Sequence, residues 1–332
     1  MSTNESMKTE TGDHKMTNFI NVGTYIPRMY IEKRIVGMST KYYLVYSYRE
    51  KKNVNKIRKY LGSDLSVEEL VKAKAEAEQE IKKVIGELST EIFNFSLTKN
   101  QVEKLNNYDR QIKIHHIEGW SWKRFTEEFT YNTNAIEGST IQQQDVPGIL
   151  HKEKAEDVEE IETKGVANAI DFIRKTKDEL SLNLIKKLHK MCFEGSKPFA
   201  GQFRNVNVVI KNSIGEIIHM GTPFQQLPQA LDDLVSWYEK NKNKFKPLVL
   251  AAIIHNQFEH IHPFQDGNGR VGRLLLNFIL LKKKYPPINI SLEDRAEYYH
   301  TLQEYSKNQN LKPTVLFLIK QYKKTLKQVT TK

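Results

Sequence analysis

Between His262 and Arg273 the chain reads His262-Pro263-Phe264-Gln265-Asp266-Gly267-Asn268-Gly269-Arg270-Val271-Gly272-Arg273. An imidazole such as that of His262 can take up a proton near neutral pH. Asp266 offers hard carboxylate oxygens of the kind that Mg²⁺ accepts beside phosphates. Gly267 and Gly269 lack a Cβ, so the backbone can reach positive φ and turn successive N–H groups onto an anion. Arg270 and Arg273 fall on neighbouring positions of one helical turn, and their forked donors match phosphate oxygens. A Gly-Asn-Gly loop alone is a common turn, and a single His before a helix is most often structural. It is the order and density of these groups that points to a phosphate cradle, a metal ligand and a proton acceptor in one loop.

Such a loop needs firm supports on both sides. An apolar stretch from Leu248 to Ile261 precedes it and another, Leu274 to Leu281, follows. Both have the composition of core helices. The second helix is expected to begin near Val271, where its dipole would add positive potential at the glycines. From about residue 97 onward the chain reads as almost all helix. Starts are expected near Lys99, Ser121, Asp145, Ala155, Ser181, Pro223, Pro247, Val271, Leu292 and Pro313, with proline or an N-cap residue at several of them. One interruption, Asn205 to His219, carries Val206, Val208, Val209 and Ile210. A turn around Asn212 to Gly215 follows, then Ile217 and Ile218. This is the pattern of a β-hairpin, which by itself would be marginal and must lean on the helices.

The chain ahead of this region differs in kind. Residues 1–18 have little hydrophobic content and are expected to be disordered. Tyr42 to Tyr48 is rich in aromatic and β-branched residues, Arg49 to Val54 is polar and turn-like, and Ile57 to Leu61 resumes a strand. Ser66 and Glu69 form a capping box opening a helix whose apolar spacing runs to about Leu88. The expected organisation is a disordered 1–18, a small basic α+β domain with a connecting helix at 19–96, and a helical region at 97–332. The fold class is therefore mainly α: a helical core with a β-hairpin flap, plus a small α+β N-terminal domain.

With 332 residues, 39% hydrophobic and 27% charged, the composition suits a globular chain with a sizeable core. The net charge of +11 favours an anionic partner, such as nucleotide, nucleic acid or an acidic protein surface, although a lysine-rich solvated surface would give the same number. The single Cys192 excludes an intramolecular disulfide, and its apolar neighbours suggest a buried, inert thiol. No secretory signal and no membrane-length apolar run is visible, so a cytoplasmic location is expected.

The loop 262–273 matches the signature of the Fic family, His-x-Phe-x-Asp/Glu-Gly-Asn-Gly-Arg-x-x-Arg, at every defining position. The similarity extends in pieces from about Phe125 to Phe317. The resemblance implies a protein adenylyltransferase that uses ATP and Mg²⁺. It assigns His262 as the general base for a target Ser, Thr or Tyr hydroxyl, Phe264 as the loop's anchor in the core, and Asp266 as the Mg²⁺ ligand. Gly267, Asn268 and Gly269 would form the anion hole. Arg270 and Arg273 would grip the β- and γ-phosphates, and Val271 and Gly272 complete the nucleotide-binding run.

Other segments fit the same resemblance. Gly201-Gln202-Phe203-Arg204, followed by Val208-Val209-Ile210-Lys211, resembles the flap that lies over the nucleotide and aligns a target peptide by strand addition. In Glu297-Tyr298-Tyr299-His300, Tyr298 is the expected adenine contact. Relatives often carry Asn eight residues after that Tyr, where this chain has Ser306. Thr133-Asn134-Ala135-Ile136-Glu137-Gly138 resembles the family's inhibitory motif. It implies that Glu137 pairs with Arg273 in the space of the γ-phosphate.

Several alternatives stay open on sequence. In some family members the same Glu serves AMP removal, and others take a different nucleotide or diphosphate. Self-modification and control by homodimer formation are compatible with the sequence. A reading of another class makes the protein a nucleic-acid-binding regulator. Lys33, Arg34, Lys41, Arg49, Lys51, Lys52, Lys56, Arg58 and Lys59, interleaved with tyrosines, would be its reader, though no helix-turn-helix or zinc pattern accompanies them.

Overall fold

The computed structural model describes residues 29–50, 53–110, 112, 121–211 and 217–330. The segment expected to be disordered, 1–18, the hairpin turn 212–216 and Lys51 and Lys52 lie outside the described residues. The chain divides into two compact units, 1–81 and 82–332.

In the first unit, three antiparallel strands run β1 (Tyr30–Val36), β2 (Ser39–Glu50) and β3 (Asn53–Ser63), in that spatial order. The second and third are longer than the aromatic runs alone suggest. Ladder pairing carries them through polar residues as far as Glu50 opposite Asn53. Helix α1 (Val67–Leu88) starts at the expected capping box: Ser66 N–H donates to Glu69 Oε2 (2.9 Å) and Glu69 N–H to Ser66 Oγ (3.3 Å). Gly62 has φ +145, and a Cβ there would run into Leu65, so only glycine fits the passage from sheet to helix.

In the second unit a short hairpin, β4 (Ser89–Ile92) and β5 (Phe95–Thr98), precedes the helices. It belongs with them rather than with the N-terminal sheet. Ile92 and Leu97 are buried in the helical core, and Trp237 Nε1–H donates to Glu91 O at 2.6 Å. The division of the chain thus falls inside α1, well before residue 96.

The helices follow as α2 (Lys99–Asp109), α3 (Trp122–Ile136), α4 (Val146–His151), α5 (Val158–Lys175), α6 (Leu182–Phe193), α7 (Leu227–Asn241), α8 (Pro247–Ile261), α9 (Asn268–Lys282), α10 (Arg295–Asn308) and α11 (Lys312–Thr330). Side-chain caps from Thr98, Ser121, Asp157 and Ser181 accept the N3 N–H of α2, α3, α5 and α6. Pro247 opens α8 at a position where its missing N–H costs nothing. α8 and α9 form the centre of the unit. α8 is apolar almost all round, from Leu248 to Ile254, and packs on α9, α7, α10 and α11. Full burial of each such aliphatic side chain contributes about 1.5–3 kcal/mol, which makes this pair a rigid base for the loop it carries.

Strands β6 (Val209–Lys211) and β7 (Ile217–Met220) form the hairpin expected at 205–219. It leans on the end of α8: Thr222 N–H donates to Ile261 O (3.1 Å), and a ring nitrogen of His219 bonds His260 O (2.8 Å). Cys192 is fully buried, and burial pushes its thiol up to about 12, so it is inert. Among the described residues no helix is long and apolar enough to cross a membrane.

Candidate active site

His262 ends α8 in the left-handed conformation, φ +54, which lets the chain turn sharply out of the helix. Its N–H donates to Phe258 O (2.9 Å) and its carbonyl accepts Arg204 Nε–H (2.7 Å). Phe264 is fully buried and stacks on the His189 ring, 3.8 Å between centroids, which fastens the loop to α6. Asn268 closes the loop on itself: Oδ1 accepts Phe264 N–H (2.8 Å) while Nδ2–H donates to Phe264 O (2.9 Å). The side chain of Asn268 is therefore spent on shaping the loop, and only its backbone is free to meet an anion.

α9 begins at Asn268, three residues earlier than the apolar run suggested. Gly267, at φ +81, is the reason. It reverses the chain at a point where a Cβ would strike the Phe193 ring. The first intrahelical bond is Val271 N–H to Gly267 O (3.1 Å). The N–H groups of Asn268, Gly269 and Arg270 precede it and form the open, positive end of a buried helix.

Arg273 is 1% exposed and fully committed. Its Nη2–H donates to Glu137 Oε1 (2.7 Å) and to Thr133 O (2.9 Å), and its Nε–H to Thr133 Oγ1 (2.7 Å). Glu137 is the residue that ends α3. Its carboxylate lies so close over Gly269 that a Cβ there would collide with Oε1. Burial works against the charge on Arg273, but the neighbouring Glu137 carboxylate more than offsets it and raises the guanidinium pKa.

His262, Glu137, Gly269, Arg273, Tyr298 and Ile210 all line one cavity of about 860 Å³, within the usual range of ligand pockets. Burial, followed by the nearby His219, lowers the His262 imidazole to about 4, so the ring is neutral at pH 7 with a lone pair available to a proton. Tyr298 is buried in the wall, with its hydroxyl 2.9 Å from His255 Nε2, and Tyr299 lies half-buried beside it. Ser306 also lines the cavity, 3.3 Å from both His219 Nδ1 and His260 Nδ1.

The remaining expected residues stand elsewhere. Arg270 does not line this cavity. It is buried, lies over the Phe193 ring at 4.3 Å, and pairs with Glu162 of α5. Asp266 is half-exposed on the same side, with Lys197 at 3.0 Å and Arg270 at 4.0 Å. Burial opposes its ionisation, but the Lys197 hydrogen bond and the Arg270 charge hold its pKa below the ordinary value. Val271 and Gly272 are buried in α9. Of the flap residues, Ile210 reaches the cavity, whereas Val208 and Val209 do not line it; Lys211 is the last residue of β6.

Sequence reasoning gave no individual role to four residues, of which it named only Arg204, as part of the flap segment. Glu162 holds Arg270, and its signal was a carboxylate on the otherwise apolar stripe shared with Val166 and Ile170. Glu259, also on the cavity wall, has an Oε1 with no hydrogen-bond partner. Burial raises its pKa to about 8, so it is a neutral acid at pH 7. Arg204 donates to the carbonyls of His262, Val206, Thr222 and Ile261, tying flap to loop. His189 accepts Gly201 N–H at Nδ1 (2.8 Å) and donates from Nε2 to Asp266 O (3.1 Å). Nothing in the local sequence marks Arg204 or His189 as a hub.

The chain is similar in sequence and fold to known proteins. Residues 179–280 match the model of the Fic/DOC family. The protein adenylyltransferase Fic of Nematostella vectensis is 27% identical over 206 residues, 59% of this chain and 47% of its own. The protein adenylyltransferase fic-1 of Caenorhabditis elegans is 30% identical over 203 residues, 58% of this chain and 39% of its own. The chain thus spans about half or less of the length of these curated relatives. Among solved structures, a Fic domain containing signaling protein from Bacteroides thetaiotaomicron superposes with a TM-score of 0.57 at 24% identity, covering 68% of this chain and 94% of that one. Fic-1 from C. elegans gives 0.56 at 24% identity, covering 80% and 78%. These two support the fold. The matched residues 179–280, which take in α8 and nearly all of α9 with the full signature between them, are similar to the Fic/DOC family.

Proposed function

We propose that the protein transfers AMP from ATP to a hydroxyl of a protein and that Glu137 holds this activity back. The observation that carries the reading is the Glu137–Arg273 pair, set inside the same cavity as a neutral His262 and the open N-terminal end of α9. His262 takes the proton of the attacking hydroxyl. The hydroxyl oxygen bonds to the α-phosphorus, the bond from that phosphorus to the bridging oxygen breaks, and pyrophosphate leaves. Backbone N–H groups of Asn268, Gly269 and Arg270 and the helix dipole stabilise the charge that develops. Arg273, once released, grips the terminal phosphate. Glu137 in its present position occupies that space with a like charge, which disfavours the in-line pose.

Asp266 fits a Mg²⁺ role. It is a half-exposed, ionised carboxylate, and among the described residues no group of three or more His, Cys, Asp or Glu could hold a metal by itself. Mg²⁺ characteristically takes one or two carboxylates and completes its shell with phosphate oxygens and water. Bound there, it would neutralise phosphate charge, and Lys197 would have to yield. The exposed edge of the β6–β7 hairpin, with Ile217 and Met220 open to solvent, suits strand addition by an extended target segment, the protein itself included.

The test is incubation of the protein and its Glu137→Gly variant with Mg²⁺ and α-labelled ATP, followed by a readout of covalent label on protein. Label appearing mainly with the variant supports both transfer and restraint. No label from either form, on self or in a lysate, would overturn AMP transfer.

A further inference from the structure

The first unit carries a surface that the chemistry above does not use. Register assigns its side chains to faces, because alternate residues of a strand point to opposite sides. One face bears Lys59, whose Nζ meets Glu80 of α1 at 2.5 Å, so α1 covers that side; the central-strand residues Leu44 on that face and Val45 on the other are both buried. Pairing of Glu32 with Tyr43 and Tyr60, of Tyr30 with Val45 and Arg58, of Arg34 with Lys41, and of Ser47 with Lys56 places all of these on the other face. There Tyr30, Arg34, Lys56, Arg58 and Tyr60 are exposed.

This face is patterned as well as basic. Among the described side chains it holds four cations, Arg34, Lys41, Lys56 and Arg58, against one acid, Glu32. Glu32 accepts from Arg34 Nε (2.6 Å) and Arg58 Nε (3.3 Å), so it fixes two guanidiniums from different strands side by side. Arg34 lies 5.1 Å from the Tyr43 ring centroid and Lys56 5.9 Å from that of Tyr30, which holds both cations up from the sheet.

We propose that this face binds duplex DNA, chiefly through backbone phosphates. Paired guanidiniums and tyrosine and serine hydroxyls are the donors that phosphates take. Three strands span about 10 Å across, at nearly 5 Å per step. A strip of that width suits a major groove about 12 Å wide, which admits strands. An acidic protein surface would satisfy the charge but gives no reason for a narrow strip of fixed forks and phenols.

The experiment uses the full chain and a fluorescein-labelled 20-base-pair duplex of mixed sequence. Anisotropy titrations run at 50 to 200 mM KCl. Binding should weaken steeply with salt, with a log–log slope of about −3 to −4 for the four cations. The double variant Arg34→Ala/Lys56→Ala should bind at least tenfold more weakly at 50 mM KCl and lower the magnitude of the slope by about 2. The pair Lys312→Ala/Lys323→Ala, in α11, should bind like the parent. Melting curves check folding, and if the sheet double variant melts lower, the exposed single change Arg34→Gln must still reduce affinity and slope. The proposal is overturned if the parent does not bind at 50 mM KCl. It is also overturned if the sheet variants bind like the parent, or if single-stranded RNA of equal length binds more tightly than the duplex.

Discussion

Thr133 holds Arg273 twice, through Oγ1 to Nε–H (2.7 Å) and through its carbonyl to Nη2–H (2.9 Å), independently of the Glu137 carboxylate. The guanidinium therefore keeps most of its orientation when Glu137 is removed. Glu137→Gly should raise covalent labelling from α-labelled ATP by tenfold or more, because the freed Nη2 still points into the cavity. Adding Thr133→Val to that variant should raise the KM for ATP several-fold, as the arginine loses a fixed hydrogen bond. An unchanged KM would remove Thr133 from the positioning of Arg273.

His262→Ala, in the Glu137→Gly background, should lower transfer by about 10²–10⁴-fold, the usual contribution of a general base. ATP binding should change by less than threefold, since the N–H groups and Arg273 remain. Isothermal titration beside the labelling assay checks both. Transfer at the parental rate would eliminate His262 as the base.

The pH profile of that labelling follows from the buried imidazole. The working form of His262 is neutral, and its pKa is lowered to about 4. The rate should stay flat from pH 8 to 6 and fall only as pH drops toward about 4. An acid limb centred near 6.5 would mean that the base is a solvated histidine.

Stability should depend on acid for a related reason. Burial lowers His189, His260 and His262 to about 4 and His255 to about 3. In the unfolded chain each takes a proton near pH 6.5. The folded state keeps these four neutral, so their contribution is full above 6.5 and is lost progressively as pH falls toward the folded values, offset in part by Glu259, whose raised pKa favours the folded state at lower pH. One unit below 6.5 each group removes about 1 kcal/mol. Thermal melts at pH 7.5 and 5.5 should differ by several degrees. Exchange of the deepest of the four, His255→Gln, should flatten the dependence.

Glu162→Ala should destabilise the protein by about 3–5 kcal/mol, because it strands the buried Arg270 charge. Denaturant melts measure this. The double change Glu162→Leu/Arg270→Leu should recover much of the loss.

The helix starts, the loop and its hairpin were legible because each has a local cause: a cap, a proline, a glycine pair, an apolar period. What escaped was set by contacts between distant parts of the chain. Glu162 meets Arg270 across 108 positions, and Arg204 reaches Ile261 across 57. The true start of α9 depended on Phe193 crowding Gly267, and the place where the chain divides on Trp237 catching Glu91. The loop sequence put Arg270 and Arg273 side by side as phosphate ligands. Burial separates them, one into an ion pair behind the loop and one into the cavity.

His262, the proposed base, and Arg273 lie within one uninterrupted stretch, whereas the Glu137 carboxylate that pairs with Arg273 arrives from 136 positions away at the end of α3. Inheritance can therefore act on the two separately. On the function proposed above, substitutions of Glu137 would adjust how often the site opens without altering what it does when open, so the set-point could drift quickly while the machinery stays fixed.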